Sequence, residues 1–359
     1  MKFDFAIGNP PYQEETVEKV SETNGQAPRK NVFQYFQLEA DKIVEEGSVL
    51  IYPGVRWIHQ SGKGLQQFGK DLINDKTLAA IEFYPDASDV FGQAAELSDG
   101  VTIVLKKKAK HSNKFSYSYV TNGTTETVIV DSPGDDLLPL NPKDISICKK
   151  IKQYVATNKI GFLHEAILPR SLFGIESDFV YKNPSLVTPL ENAGKINYSK
   201  EIKLFTNDKA GKSGRAKWYV APKSVIKQGT KYINEWQVVV SSANAGGQKR
   251  DNQIEIIDNH SAFGRARVAL RSFATKEEAE NFFAFANSYL VKFAFLMTDE
   301  ALSSLGKLVP DFLDYSCNNQ LIDYNKPIDP QLFSIFALNN SEMDYIKSRV
   351  DSIRKKEME

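Results

Sequence analysis

The chain has 359 residues with 45 basic and 45 acidic side chains and 42 % apolar residues, the make-up of an ordinary soluble globular protein with room for about two domains. Its two cysteines, Cys148 and Cys317, stand far apart and fit reduced thiols of a cytoplasmic protein better than a disulfide framework. Four scattered histidines argue against a metal site, and the lack of any apolar run of about 18 residues argues against a membrane-spanning segment.

The chain opens on Met1-Lys-Phe-Asp-Phe-Ala-Ile-Gly-Asn-Pro-Pro-Tyr12. Phe3, Phe5, Ala6 and Ile7 are the residue types of a buried strand, and Gly8 lets the backbone turn at its carboxyl end. The proline that follows holds Asn9 extended, while Pro10 and Pro11 fix their own φ angles and donate no N–H. The loop therefore presents a side-chain amide, bare carbonyls and an aromatic ring in a pre-set geometry. Such a set suits methylation of a planar amino group whose lone pair is delocalised. If Asn9 Oδ1 and the Pro10 carbonyl accept its two hydrogens, the lone pair is localised toward an incoming methyl group without a strong base. The Tyr12 ring offers a face on which a flat substrate stacks.

At these residues the chain resembles the S-adenosylmethionine-dependent amino-methyltransferases, specifically the adenine-N6 DNA methyltransferases of restriction-modification systems, whose motif is Asn-Pro-Pro-Tyr. The resemblance implies that Asn9, Pro10 and Pro11 form the catalytic loop on the target amine, with Tyr12 stacking on the extruded base.

Next along the chain, residues 13–30 are polar and carry Asn24-Gly25 and Pro28, a surface loop suited to gating substrate or touching DNA. A helix is predicted over 31–46 with Phe33, Phe36, Ala40 and Ile43 on its apolar face, ended by Gly47. A buried strand at 48–53 follows, then a helix marked by Leu65, Phe68, Leu72 and Ile73, and strands at 78–84 and 100–105. The strand–helix–strand order predicts an α/β fold with a parallel, doubly wound, Rossmann-like sheet that binds ligands at its strand carboxyl ends, where Asn9 and Trp57 would sit. The resemblance makes Phe91, in the loop after 78–84, a wall of the flipped-base pocket.

The sheet reads as incomplete. In this family the cofactor is held by an earlier strand ending in a glycine-rich turn, and the residues before Asn9 contain none. Gly62-Lys63-Gly64 lacks the third glycine, at Gln67, and Ala210-Gly-Lys-Ser213 lacks the first, at Thr206. The Phe3–Ile7 strand would then be an open apolar edge, which points to a fragment, a split enzyme completed by a second polypeptide, or a protein without cofactor binding.

Residues 1–110 are thus expected to form a partial catalytic domain, 111–140 a linker, 141–335 an α+β target-recognition domain and 336–359 a charged helical tail. Asn141-Pro142 should cap a helix reaching Val155, and Thr275–Glu278 is a capping box opening a long helix. Between 195 and 271 lie 15 Lys or Arg against 6 Asp or Glu, in a chain of zero net charge. Lys212, Arg215, Lys217, Lys249, Arg250, Arg265 and Arg267, on flexible glycine-bearing loops, suit the phosphates of double-stranded DNA. Three readings stand: an adenine-N6 DNA methyltransferase, a methyltransferase acting on protein glutamine or ribosomal RNA, and a non-catalytic DNA-specificity protein. The basic stretch favours DNA.

Overall fold

A computed structural model describes residues 2–15, 29–62, 64–92, 97, 99–121, 123–211 and 213–355. The chain divides into two compact units, Met1–Ser146 with Met297–Ser304, and Ile147–Leu296 with Leu305–Glu359.

The first unit is a mixed α/β body. Its elements are β1 (Phe3–Gly8), the ribbon β2 (Gln13–Glu15) and β3 (Arg29–Asn31), α1 (Phe33–Ile43), β4 (Val44–Pro53), α2 (Gln66–Ile73), β5 (Leu78–Tyr84), α3 (Ser88–Phe91), β6 (Val101–Lys107), β7 (Lys114–Thr121) and β8 (Thr124–Asp131). Six strands form one sheet in the order β1-β4-β6-β5-β7-β8. Strand β1 runs parallel to β4, from Phe5↔Gly47 to Gly8↔Leu50, and β5 runs parallel to β7. Strand β6 is antiparallel to both β4 and β5, so the sheet is not parallel throughout as the sequence pattern predicts. The physical reason is the connection: among the described residues between β5 and β6 it carries only the four-residue α3, too little helix to cross back over a sheet. Because β6 opposes both neighbours, β1, β4 and β5 share one direction, and the loops at 9–12, 54–64 and 85–92 leave the same edge.

Helix α1 and β4 correct the sequence reading in detail. The helix ends at Ile43, and β4 begins at Val44 and runs through Gly47. Gly47 is needed inside the strand, because a Cβ there would lie 2.2 Å from the Lys106 carbonyl oxygen. The helix buries Phe33, Gln34, Gln37 and Ala40, and leaves Phe36 and Ile43 exposed. Gln37 is accommodated because Nε2 donates to Ser48 Oγ (3.2 Å) and Asp41 Oδ1 (2.8 Å), and its Oε1 accepts from the Tyr52 hydroxyl. Beneath the helix Tyr52, Trp57, Leu72, Ile81, Val104 and Tyr117 form the core.

Residues 111–140, expected as a linker, instead supply the β7–β8 hairpin that extends this sheet. Residues 297–304 return to the same unit through a buried polar cluster. The Asp299 N–H donates to His59 Nδ1 (3.0 Å), His59 Nε2 lies 2.9 Å from the Leu138 carbonyl, and the Ser61 hydroxyl donates to Asp299 Oδ2 (2.5 Å). Since a carbonyl only accepts, Nε2 carries a proton. Burial alone would raise the Asp299 carboxyl; its contacts with His59, Ser61 and the Ala301 N–H outweigh that and hold it below the ordinary carboxylate range. A lowered folded-state pKa stabilises above the unfolded value, ~3.9 for Asp, and that stability is lost as pH falls through the folded value. Acid denaturation of Asp299→Asn should therefore show less loss of stability below about pH 4 than the parent chain. An unchanged acid limb would mean that this cluster does not set it.

The second unit comprises most of α4 (Ile145–Asn158), followed by β9 (Gly161–Phe162), α5 (Phe179–Lys182), β10 (Thr188–Pro189), β11 (Glu201–Asn207), β12 (Ala216–Pro222), β13 (Trp236–Ser241), β14 (Ile254–Ile257), β15 (Ser261–Phe263), β16 (Arg267–Phe273), α6 (Lys276–Ala286), α7 (Tyr289–Leu296), β17 (Pro310–Asp311), α8 (Ile328–Ile335) and α9 (Asn340–Lys355). Its main sheets have the orders β10-β12-β11-β15 and β14-β13-β16, and they share a core containing Leu204, Phe205, Val239, Phe263 and Ala269. Asn141 Oδ1 accepts from the Lys143 N–H (2.9 Å), as a cap ahead of α4. Thr275 Oγ1 accepts from the Glu278 N–H (3.2 Å), the first contact of a capping box, while the Glu278 carboxylate accepts from the Thr275 hydroxyl (Oε2, 2.7 Å). The predicted single helix after it is two, α6 and α7, broken at Asn287 and Ser288.

Candidate active site and basic surface

The Asn9–Tyr12 loop leaves the carboxyl end of β1 at the outer edge of the sheet. Asn9 and Pro11 are exposed, Pro10 is buried and Tyr12 is half-buried, so the amide stands in solvent on a loop pinned by a buried proline. The Tyr12 ring packs against the core of the first unit. Its carbonyl accepts from the Val32 N–H (3.0 Å), which fastens the loop to the start of α1. The following residues then leave as the β2–β3 ribbon, with Gln13 opposite Asn31; the predicted loop at 13–30 lies for the most part outside the described residues.

The Tyr12 hydroxyl is buried and makes no aligned hydrogen bond among the described residues. Burial raises its pKa above the ordinary phenol range, and the nearby Asn9 amide offsets part of that rise without the alignment of a hydrogen bond. Gln34, in the first turn of α1, is 5 % exposed, and its Oε1 also lacks a partner among the described residues. Sequence reasoning passed over Gln34; a glutamine inside an apolar-patterned helix was its only signal.

Phe91 ends α3 on the segment leaving β5 and is half-buried, at the same sheet edge as Asn9. Trp57 is at that edge as well but fully buried, with Nε1 donating to Thr102 Oγ1 (3.0 Å) and its ring edge-on to Tyr52. It braces the site from within the core and offers no surface to a ligand.

The basic residues of the second unit fall into two groups. Arg215 and Lys217 are exposed at the β11–β12 turn, where Asp208 accepts from the Arg215 backbone N–H (2.9 Å) and faces Lys217 Nζ at 3.4 Å; Lys212 lies outside the described residues. Lys249 and Arg250 are exposed on the loop between β13 and β14. That loop is well braced, contrary to the flexibility its glycines predict. Asn244 Nδ2 donates to the Arg250 carbonyl (2.8 Å), and the nearly buried Lys292 ammonium donates to Asp251 Oδ1 (2.6 Å), Asn252 Oδ1 (2.6 Å) and the Asn252 carbonyl (2.9 Å). Arg265 is half-buried and paired with Glu176 (2.7 Å). Arg267 is 8 % exposed, pairs with Glu255 (3.1 Å) and lies over the Phe205 ring. Its guanidinium is part of the packing, so Arg267 drops out of the basic surface.

Among the described residues no group of three or more His, Cys, Asp or Glu is arranged to hold a metal ion, and no helix is long and apolar enough to cross a membrane.

Residues 1–91 match the family model described as the Eco57I restriction-modification methylase. No curated protein sequence matches the chain. Solved structures with similarity include a type I restriction-modification methyltransferase subunit from Streptococcus thermophilus, at 15 % identity over 36 % of this chain and 29 % of that one, with a TM-score of 0.25. They also include the type IIL restriction-modification enzyme MmeI in complex with DNA, at 9 % identity over 97 % of this chain and 54 % of that one (TM-score 0.43). A third is the type IIG restriction endonuclease BpuSI, at 9 % identity over 98 % of this chain and 54 % of that one (TM-score 0.31). These three similarities are too faint to define the fold of this chain, which spans from 29 % to 54 % of their lengths. The first quarter of the chain is thus similar to restriction-modification methylases.

Proposed function

We propose that this chain is the amine-binding and DNA-recognition part of an adenine-N6 DNA methyltransferase of a restriction-modification system. The observation that carries the reading is the Asn9-Pro10-Pro11-Tyr12 loop at the carboxyl end of β1, with Asn9 in solvent, Pro10 buried and Tyr12 beside it. The methylase family match over residues 1–91, which contains this loop, supports it.

In this reading an adenine is extruded from the duplex and its ring stacks on Tyr12, with Phe91 on the same sheet edge as a second wall. Asn9 Oδ1 and the Pro10 carbonyl each accept one N6 hydrogen. These bonds strengthen as positive charge develops on the nitrogen, so they stabilise the transition state more than the bound base. S-adenosylmethionine supplies the methyl group. This reading expects its site outside the described residues: among them no glycine-rich turn adjoins β1, and Phe3, Phe5 and Ile7 are 49 %, 57 % and 80 % exposed. A further strand beside β1, on a second polypeptide or a longer form of this chain, would bring the cofactor-binding turn to Asn9. The second unit is assigned as the target-recognition domain, with Arg215, Lys217, Lys249 and Arg250 on DNA phosphates.

The direct test is methylation of DNA by the chain joined to a cofactor-binding half, followed by location of the product on adenine N6. Methyl transfer to protein glutamine or ribosomal RNA in place of DNA would overturn the assignment. For the recognition surface, Lys249→Ala with Arg250→Ala should weaken DNA binding and flatten its logarithmic salt dependence by about one unit for each phosphate no longer neutralised. Arg267→Ala should instead lower stability and leave the slope alone, since that guanidinium is buried against Phe205 and Glu255. Equal salt slopes for the parent and the double variant would show that the loop does not meet DNA.

A further inference from the structure

We propose that Gln34 is a positioning residue of the amine-binding loop: its Oε1 accepts the Tyr12 hydroxyl once a planar base is stacked on the Tyr12 ring. The inference rests on the reading of residues 9–12 as that loop.

Three observations point to it. Among the described residues the Tyr12 hydroxyl, a donor, and Gln34 Oε1, an acceptor, are both buried without an aligned hydrogen bond, the Asn9 amide lying near the former. The bond from the Val32 N–H to the Tyr12 carbonyl, 3.0 Å, joins the two backbones, and Gln34 is the second residue beyond it. The buried face of α1 also runs in the required direction. One turn further along, Gln37 is satisfied by Ser48 and Tyr52 of β4. Helix α1 leads back into the parallel strand β4, so its amino end lies toward the strand carboxyl ends, and Gln34 is nearer the site than Gln37.

A core under selection for packing alone would fill this position with leucine or methionine, since a buried carbonyl oxygen without a donor is destabilising. The two groups are complementary, and in the proposed bound state one hydrogen bond between them satisfies both. The paired state is then reached only with substrate bound, so the bond contributes to binding and to the orientation of the ring. Gln60, whose Nε2 is also buried without a partner, follows β4 at the same edge and is the competing donor.

The experiment uses the full chain with adenosine as the probe and reads affinity and thermal midpoint for Gln34→Met, Tyr12→Phe, the double variant, Gln34→Glu and Gln60→Met. Gln34→Met keeps side-chain size and removes the unpaired acceptor, so its thermal midpoint should rise or hold while adenosine affinity falls about 2- to 13-fold, the value of one net hydrogen bond. Tyr12→Phe should lose as much, the double variant no more than either single, and Gln34→Glu should recover most of the loss because it retains an acceptor. A double variant that loses the product of the two single effects would overturn the pairing, as would coupling of Gln34 to Gln60 instead. Tyr12→Ala separates the layers. If it leaves adenosine affinity unchanged, or if the parent chain binds no adenosine, the amine-binding reading fails and the inference with it. If Tyr12→Ala weakens binding and Gln34→Met does not, only the inference fails.

Discussion

Asn9→Ala in the complete enzyme is expected to lower methylation by at least about 10²–10³-fold, the range found when one preorganised hydrogen-bonding group aimed at a transition state is removed. Affinity for duplex DNA should stay within about two-fold, because the amide meets a single extruded amine while the phosphate contacts lie elsewhere. The structure makes the variant clean. Asn9 is exposed and follows β1 without being part of it, so folding stability should change by no more than about 0.5 kcal/mol. Pro10 is buried and keeps the loop in place. Single-turnover rates on target DNA, compared with equilibrium binding of the same duplex, give the two numbers. Undiminished turnover would remove Asn9 from the chemistry. Equal losses in rate and affinity would mean that the amide acts in binding the duplex, and the transition-state argument would fall.

What the sequence made legible is the part in which local signals act alone. A short apolar run broken by Gly8 and two prolines placed β1 and its loop, and the three- and four-residue spacing of Leu65, Phe68 and Leu72 placed α2. The caps at Asn141 and Thr275 are local hydrogen bonds written in residue type. Where tertiary packing decides, the pattern misled. The antiparallel seating of β6 depends on the length of helix in the preceding connection, and the apolar run at 101–105 fits either direction equally well. Helix α1 carries two possible stripes, and the one containing Gln34 and Gln37 faces inward because Tyr52 and Ser48 satisfy Gln37. Gly47 looks like a helix stop, yet it is held inside β4 by the approach of the Lys106 carbonyl. Charge was the least legible of all. The 195–271 segment is basic as a whole, but Arg267 and Arg265 face Glu255 and Glu176, partners no spacing rule connects, whereas Lys249 and Arg250 stand on a loop ordered by a lysine about 40 residues away, Lys292.

Ile7→Arg is expected to be nearly silent in this chain alone and severe in the assembled enzyme. The register decides which way the side chain points. Ala6 pairs with Ser48 and Gly8 with Leu50, and Ser48 and Tyr52 touch Gln37 of α1, so alternate residues Phe3, Phe5 and Ile7 lie on the sheet face away from α1. Ile7 is 80 % exposed, and a charge there should cost the isolated chain no more than about 0.5 kcal/mol. Strand β1 is also an edge, with one row of backbone N–H and C=O groups unpaired in the sheet, the kind of edge that recruits another strand. If a cofactor-binding segment covers that face, the arginine is buried without a counter-charge, and assembly should weaken by about 3 kcal/mol or more, upward of 100-fold. Calorimetry separates the cases. The unmodified chain alone should give no heat with S-adenosylmethionine at micromolar concentration and should gain it when the cofactor-binding half is supplied, while the Ile7→Arg chain should not gain it. Stoichiometric micromolar binding by the chain alone would mean that the cofactor site lies among its own residues. Assembly of the variant as tight as the parent would mean that the bare face of β1 stays in solvent and that the partner strand docks elsewhere.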